Sequence, residues 1–202
     1  MKKWLKNKQC AYCVVNPATT EEHIFAVGFF HEADRDNHPL PKAPACAECN
    51  GKKSVFDEYA MTVLSFGGRH PSALPNLETK GGRRLQKNDA LRKRLRRGVG
   101  RAWIQEPSGI IQSTTTFPVD SGKLVSLFQY IAKGLMWHHW GVYVSPETTI
   151  SVLFHNEEGA EGFKQQFAQW RWQGVRGNLR SETVLYEGKE KGSGSVSGGN
   201  GT

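Results

Sequence analysis

The four cysteines form two Cys-x-x-Cys pairs with none left over, Cys10 with Cys13 and Cys46 with Cys49. Two such pairs are a common way to hold tetrahedral zinc, because each short turn supplies two thiolates and the second pair closes the site. A redox role is the alternative for either pair alone, and disulfides are not expected without an export signal. The sequence therefore predicts one structural zinc site with four cysteine ligands.

Between and just after the pairs lie an acid, a histidine and an amide. The 32-residue gap contains Glu22-His23-Ile24-Phe25, and the second pair continues as Cys49-Asn50-Gly51-Lys52-Lys53-Ser54. This order of motifs resembles the HNH endonucleases that contain a zinc knuckle, over about residues 10–66. The resemblance implies a ββα-metal module, in which a short hairpin carries the acid–His pair and a helix after the last cysteine carries a second metal ligand.

The resemblance also implies a role for each of these residues: His23 as general base, and Glu22 and Asn50 as ligands of a catalytic magnesium or manganese ion. Residue chemistry supports these roles independently, since phosphodiester hydrolysis needs a water nucleophile, a base and a cation beside the phosphate. Imidazole titrates near neutrality, and carboxylate and amide oxygens suit hard cations. We expect the zinc to join the hairpin to the helix and so bring Glu22 near Asn50.

The loop before the second cysteine pair departs from the family pattern. Related sequences often have an asparagine there that orients the catalytic histidine, and Asn37 is the candidate in this chain, although it lies far from Cys46. Ala26 occupies a place where proline is common. His31 and His38 lie in the same loop, and we interpret them as loop residues.

Positive charge is concentrated in one segment. The net charge is +8, and residues 80–101 contain ten Lys or Arg against one acid, Asp89, which leaves −1 for the rest of the chain. Such a patch indicates a polyanionic partner, by default nucleic acid, and we expect DNA rather than RNA. The alternative is a solvated helix face or a basic loop. The predicted contact residues are Lys52, Lys53, Arg83, Arg84, Arg92, Lys93, Arg96 and Arg97.

Local patterns predict the elements that position these residues. Val14-Val15 and Ile24-Phe25 are predicted strands on either side of a turn at Asn16-Pro17. Residues 52–66 lack Gly and Pro and predict a helix that buries one apolar face, with Val55, Phe56, Tyr59, Val63 and Phe66. Residues 67–82 are rich in Gly and Pro and predict a linker or an ordered loop.

Further elements follow along the chain. Residues 83–97 predict a basic helix with Leu85, Leu91 and Leu95 as its apolar seam. Residues 121–139 form the clearest predicted helix, with Ser121 as its N-cap. The other predictions are a strand pair at 102–104 and 109–111, strands at 142–144 and 150–154, and a helix at 158–172.

Together these patterns predict an α+β protein with four parts. They are a zinc-knuckle nuclease module (1–70), a linker with the basic helix (71–101), an α/β accessory region (102–187) and a Gly/Ser-rich disordered tail (188–202). The aromatic C-terminal region, with four tryptophans between 137 and 172, is a candidate surface for a protein partner.

Composition excludes several classes of protein. The chain has 202 residues, 38% of them hydrophobic, without an apolar run of the ~18 residues that a membrane span needs. We therefore expect a cytoplasmic protein that does not enter a membrane, and we predict a metal-dependent endonuclease. Two alternatives stay open at this point: a zinc-knuckle protein that binds nucleic acid without cleaving it, and an RNA-cleaving toxin or defence-complex subunit.

Overall fold

The computed structural model describes residues 2–30, 40–66, 73–105, 108–154, 159 and 161–165, together with the backbone of two strands near the C-terminus. It confirms a mixed α+β chain with small antiparallel sheets. The helices are α1 (Ala47–Val63), α2 (Ala73–Asn76), α3 (Gly82–Lys87), α4 (Asp89–Gly98) and α5 (Ser121–Trp140). The strands are β1 (Thr20–His23), β2 (Lys42–Ala45), β3 (Gly100–Gln105), β4 (Ile111–Thr116), β5 (Thr183–Gly188) and β6 (Gly194–Gly199). None of the described helices is long and apolar enough to span a membrane.

The first sheet pairs β1 with β2, so that Thr20 lies opposite Ala45 and His23 opposite Lys42. The prediction of strands at Val14-Val15 and Ile24-Phe25 was wrong. Val14 has a φ of 60° and lies in the turn that follows Cys13, a conformation incompatible with a strand. The polar run Thr20–His23 forms the strand instead, because it aligns with the apolar residues that precede Cys46.

Helix α1 begins earlier than predicted. Cys46 is its N-cap and accepts a hydrogen bond from the Cys49 backbone N–H, so the second cysteine pair is part of the first helical turn. The predicted apolar face holds for Tyr59 and Val63, which are buried, but Val55 is 56% exposed. Strand β2 is therefore followed directly by Cys46 and then by α1, with no loop between them.

The segment after α1 is more helical than its Gly and Pro content suggests. Within residues 67–82, which we predicted as a linker or loop, Ala73–Asn76 is α-helical and a π-helical turn spans Leu77–Gly81. The predicted basic helix is broken at Asn88, whose side chain caps α4 through the Leu91 N–H. Leu91 and Leu95 are buried, which confirms the predicted apolar seam of this helix.

Helix α5 packs against α1 and β2 and closes the core. Gly134 contacts the side chain of Ile24 so closely that a Cβ there would lie 2.9 Å from Ile24 Cγ1. The structure divides the chain into two compact units, Met1–Val152 and Leu153–Thr202. The predicted boundaries near residues 70 and 101 thus fall inside the first unit, because α5 buries its apolar face against the cysteine-bearing elements.

The remaining elements agree in part with the sequence. The predicted strand at 102–104 lies within β3, but its predicted partner at 109–111 shares only Ile111 with β4. The α5 N-cap is Asp120 rather than Ser121. The predicted strands at 142–144 and 150–154 are absent from the described structure, where residues 141–154 form no ladder. Residues 194–199, within the predicted disordered tail, form β6 and pair with β5, whose β-branched and aromatic residues favour a strand.

Candidate metal centre and the acidic group beside it

The four cysteine sulfurs lie within 4.8 Å of one another. Cys13 Sγ and Cys46 Sγ are 4.0 Å apart, close to the ~3.8 Å that a tetrahedral Zn–S distance of about 2.3 Å gives. Backbone N–H groups of Tyr12 and Cys49 donate to the sulfurs of Cys10 and Cys46, both at 3.4 Å. The donor set and its spacing therefore fit one zinc ion, and the described residues contain no second cluster of this type.

Protonation links metal binding at this cluster to pH. Burial raises the pKa of the Cys10 and Cys49 thiols. At Cys13 burial acts in the same direction, but the backbone N–H groups of Asn16 and Val15 outweigh it and lower the pKa to about 7. Zinc binds thiolates, so occupation of the site must release protons, and affinity must fall as pH falls.

The two faces of β1 carry different groups, because alternate side chains of a strand point to opposite sides. Thr20 and Glu22 face α1, where Thr20 accepts a hydrogen bond from Asn50 Nδ2 at 3.2 Å. Glu21 and His23 occupy the other side. There Glu21 accepts hydrogen bonds from Lys2 and Trp4 and forms an ion pair with Lys42. The structure thus brings Glu22 and Asn50 to one side of the strand and places His23 on the other.

Lys53 lies at the centre of the α1-facing side and is fully buried. Its ammonium group donates to Asp57 Oδ2 at 2.7 Å, the His23 carbonyl at 2.9 Å and Glu22 Oε1 at 3.2 Å. An ammonium has three donors, and these contacts use all of them. The prediction that Lys53 contacts phosphate was therefore wrong, because its charge is enclosed by two carboxylates.

Burial sets the protonation of the groups around Lys53. It raises the pKa of the Glu22 and Asp57 carboxyls, and the Lys53 ammonium opposes this effect at both. Burial also lowers the pKa of His23, with a smaller contribution from the charge of Lys42. The imidazole is therefore neutral at pH 7. Its buried Nδ1 has no hydrogen-bond partner among the described residues.

Two oxygens in this group are left open. Lys53 contacts Oε1 of Glu22, and within the described structure no hydrogen bond uses Oε2. Asn50 donates through Nδ2 to Thr20, and no described residue donates a hydrogen bond to its Oδ1. A carboxylate oxygen and an amide oxygen are ligands that magnesium and manganese accept. Glu22 and Asn50 therefore fit a divalent ion in donor chemistry.

The other predicted nucleic-acid contacts fall into three groups. Arg84 is half-buried and donates to the carbonyls of Met61 and Gly28, so it holds α3 to the body of the protein rather than meeting a ligand. Lys52 pairs with Glu48, while Arg92 and Lys93 share Asp89, all at the surface. Arg83, Arg96 and Arg97 are exposed. The exposed cations Arg92, Lys93, Arg96 and Arg97 thus all lie on α4 and make up its basic surface.

Sequence reasoning missed Asp57, which supplies the second carboxylate around Lys53. Asn50, Lys53 and Asp57 follow the i, i+3, i+7 spacing of one helical stripe, and this spacing is the signal that would have joined them. Asn37, the predicted orienting residue, lies outside the described residues, as do His31 and His38.

Comparison with protein-family models, with curated proteins and with solved structures finds no match for this chain.

Proposed function

We propose that this protein is a metal-dependent endonuclease of the HNH type that hydrolyses phosphodiester bonds in DNA. The observation that carries the proposal is the unit of β1, β2 and α1 beside the cysteine cluster. In this unit a hydrogen bond of 3.2 Å from Asn50 Nδ2 to Thr20 Oγ1 aligns the helix with the strand that bears Glu22 and His23. Cys10, Cys13, Cys46 and Cys49 hold a zinc ion that fixes α1 against the segment before β1.

Each residue has a separate task in this account. Glu22 Oε2 and Asn50 Oδ1 hold a magnesium or manganese ion, which when bound neutralises charge on the scissile phosphate. His23 accepts a proton from the attacking water, and its lowered pKa keeps the ring in the basic form at neutral pH. Lys53 fixes the Glu22 carboxylate through Oε1 and the β1 backbone through the His23 carbonyl.

A second candidate, a zinc-knuckle module that binds nucleic acid without cleaving it, is favoured by two observations. The Lys53 ammonium already neutralises Glu22, and His23 lies on the opposite side of β1 from Glu22 and Asn50. In this account Glu22 and Lys53 form a structural ion pair, and only the basic surface of α4 acts on the ligand.

The two candidates are separated by incubating the purified chain with supercoiled plasmid and with RNA, with and without magnesium or manganese. The nuclease account predicts metal-dependent nicking of the plasmid. It also predicts that Glu22→Ala and Asn50→Ala lose activity and partly regain it at high metal concentration, since each removes one ligand of the ion. Cleavage of RNA alone would instead identify an RNase. Binding of both substrates without cleavage under any of these conditions would support the non-catalytic module.

A further inference from the structure

Nine of the twelve residues of the hairpin β3–β4 are exposed, and none is buried. Alternation along β3 and its register with β4 place Arg101, Trp103 and Gln105 on one face with Ile111, Ser113 and Thr115. Every one of these side chains is exposed, Trp103 to 74% and Ile111 to 65%. An isolated two-stranded hairpin is at best marginally stable in water. A tryptophan at this exposure buries little surface and so does not stabilise the hairpin by packing.

The base of the hairpin is nevertheless fixed to the body of the protein. Phe117, just after β4, stacks on Phe66 with ring centroids 4.9 Å apart. Asp120 forms an ion pair with Arg94 of α4 at 2.8 Å, and its backbone N–H donates to the Tyr59 hydroxyl. Pro118 packs so tightly against Gly98 that no Cβ fits there. These contacts fix the hairpin relative to α4, whereas the side chains on the face that carries Trp103, its outer face, are exposed.

The charge of this surface indicates the chemistry of its partner. Arg101 is exposed on this outer face and follows Arg96 and Arg97 closely along the chain, so the hairpin adds a cation near in sequence to those of α4. No acidic side chain is present on the described part of that face, and its remaining residues are mainly hydroxyl and amide side chains. A hydrogen-bonding surface with one arginine and one exposed aromatic ring matches a nucleic-acid strand, in which a phosphate can pair with the arginine and a base can stack on the ring.

We propose that the outer face of the β3–β4 hairpin binds a nucleic-acid strand with an unpaired base, in which Trp103 stacks on the base and Arg101 pairs with a phosphate. This inference rests on the proposed function, from which it takes nucleic acid as the ligand. It adds that the hairpin is the element that holds the substrate strand. The α4 surface supplies attraction that is independent of sequence. The hairpin supplies a stacking contact for an unpaired base. A base of an intact duplex can make this contact only after it leaves its own stack.

Fluorescence anisotropy with a labelled single strand of about 20 nucleotides, longer than one stacking site, tests this directly. The same sequence as duplex DNA and as single-stranded RNA provides the other arms, all without magnesium so that no probe is cleaved. Trp103→Ala is expected to weaken binding of single strands about 5- to 150-fold, the range for loss of one base–aromatic stack. Trp103→Phe is expected to keep most of the affinity, and the duplex is expected to respond less than the single strand.

Ile104→Ala is the matched control, because Ile104 is an apolar neighbour on the opposite face of the same strand. It is expected to bind like the wild type. Equal affinity of Trp103→Ala and wild type overturns the proposal, as does equal loss in both variants, which would report collapse of the hairpin. A wild-type dimer that Trp103→Ala converts to a monomer, with nucleic-acid affinity unchanged, also overturns it and assigns the face to a second copy. If Trp103→Ala loses binding but the wild type does not cleave, the nuclease proposal fails and the binding proposal for the hairpin stands.

Discussion

The cysteine cluster and the group formed by Glu22, Lys53 and Asp57 both include residues of α1, but they are organised differently. The cysteines need only one metal ion to complete their site, since their sulfurs already lie within 4.8 Å of one another. The acidic group already contains its own cation, the buried Lys53 ammonium, and keeps single oxygens of Glu22 and Asn50 open. Four protein ligands, which leave no open position on a tetrahedral ion, are typical of a structural site, whereas open ligand positions are what a site needs to act on a substrate.

Substitution of a cysteine is expected to have the largest effect on zinc content and folding. Cys46→Ser removes one zinc ligand and the sulfur that caps α1, so we expect loss of stoichiometric zinc and of cooperative folding in the first compact unit. Elemental analysis and urea unfolding followed by circular dichroism measure both quantities. Ser54→Ala, an exposed change on α1, serves as the control and is expected to leave both unchanged. A Cys46→Ser protein that unfolds cooperatively at the wild-type urea concentration would show that zinc is not part of the fold.

Two neighbouring lysines provide the next test. Lys53→Met leaves the Glu22 and Asp57 carboxylates without their shared cation, and breaking a buried ion pair in this way costs about 3 kcal/mol. Lys52→Met removes only an exposed pair with Glu48, whose attraction is screened by water, so we expect a much smaller loss than for Lys53→Met. Urea denaturation gives the free energy of unfolding of both variants. If Lys53→Met changes the free energy of unfolding as little as Lys52→Met does, the Lys53 ammonium is not buried between Glu22 and Asp57.

The packing of α5 against Ile24, the residue after β1, gives a smaller expected effect. Gly134→Ala adds a methyl group 2.9 Å from Ile24 Cγ1, and overpacking of this kind costs about 1–3 kcal/mol. Gly51→Ala is the matched helical glycine, because open space surrounds its position on α1, and it is expected to stabilise by about 0.5–1 kcal/mol. The two free energies of unfolding should therefore change in opposite directions. Stabilisation by both substitutions would mean that α5 does not pack against Ile24 in solution.

Short-range spacing explains what could be predicted from the sequence. Each Cys-x-x-Cys pair, the apolar seam of Leu91 and Leu95, and the long helix α5 depend on residues a few positions apart, where chain geometry dictates which side chains meet. The strands at Val14-Val15 and at 142–144 failed for a different reason. Apolar content alone predicted them, but a strand also needs a partner with open backbone groups. The cysteine turn removes Val14-Val15 from any ladder, and no described strand pairs with 142–144.

The candidate site shows the same limit. The sequence named Glu22, His23 and Asn50 through their motif, but it could not show that Lys53 is buried. That burial depends on Asp57 and on the packing of β1 against α1, which are tertiary facts. Nor could it show that strand alternation separates His23 from Glu22. A count of lysines and arginines cannot tell a cation with a structural role, such as the buried Lys53 or the half-buried Arg84, from an exposed one such as Arg96.

Plasmid cleavage under single-turnover conditions, at saturating magnesium and with zinc content matched, tests the central claim most directly through His23→Ala. The account predicts that the wild type cuts and that His23→Ala is slower by about 10²–10⁴-fold, the usual contribution of a general base. Added magnesium or manganese should not restore this rate, because the missing part is a proton acceptor. His138→Ala, at the exposed end of α5, should cut like the wild type. Wild-type rates for His23→Ala, or no cleavage of DNA or RNA by the wild type with either metal, would contradict the account.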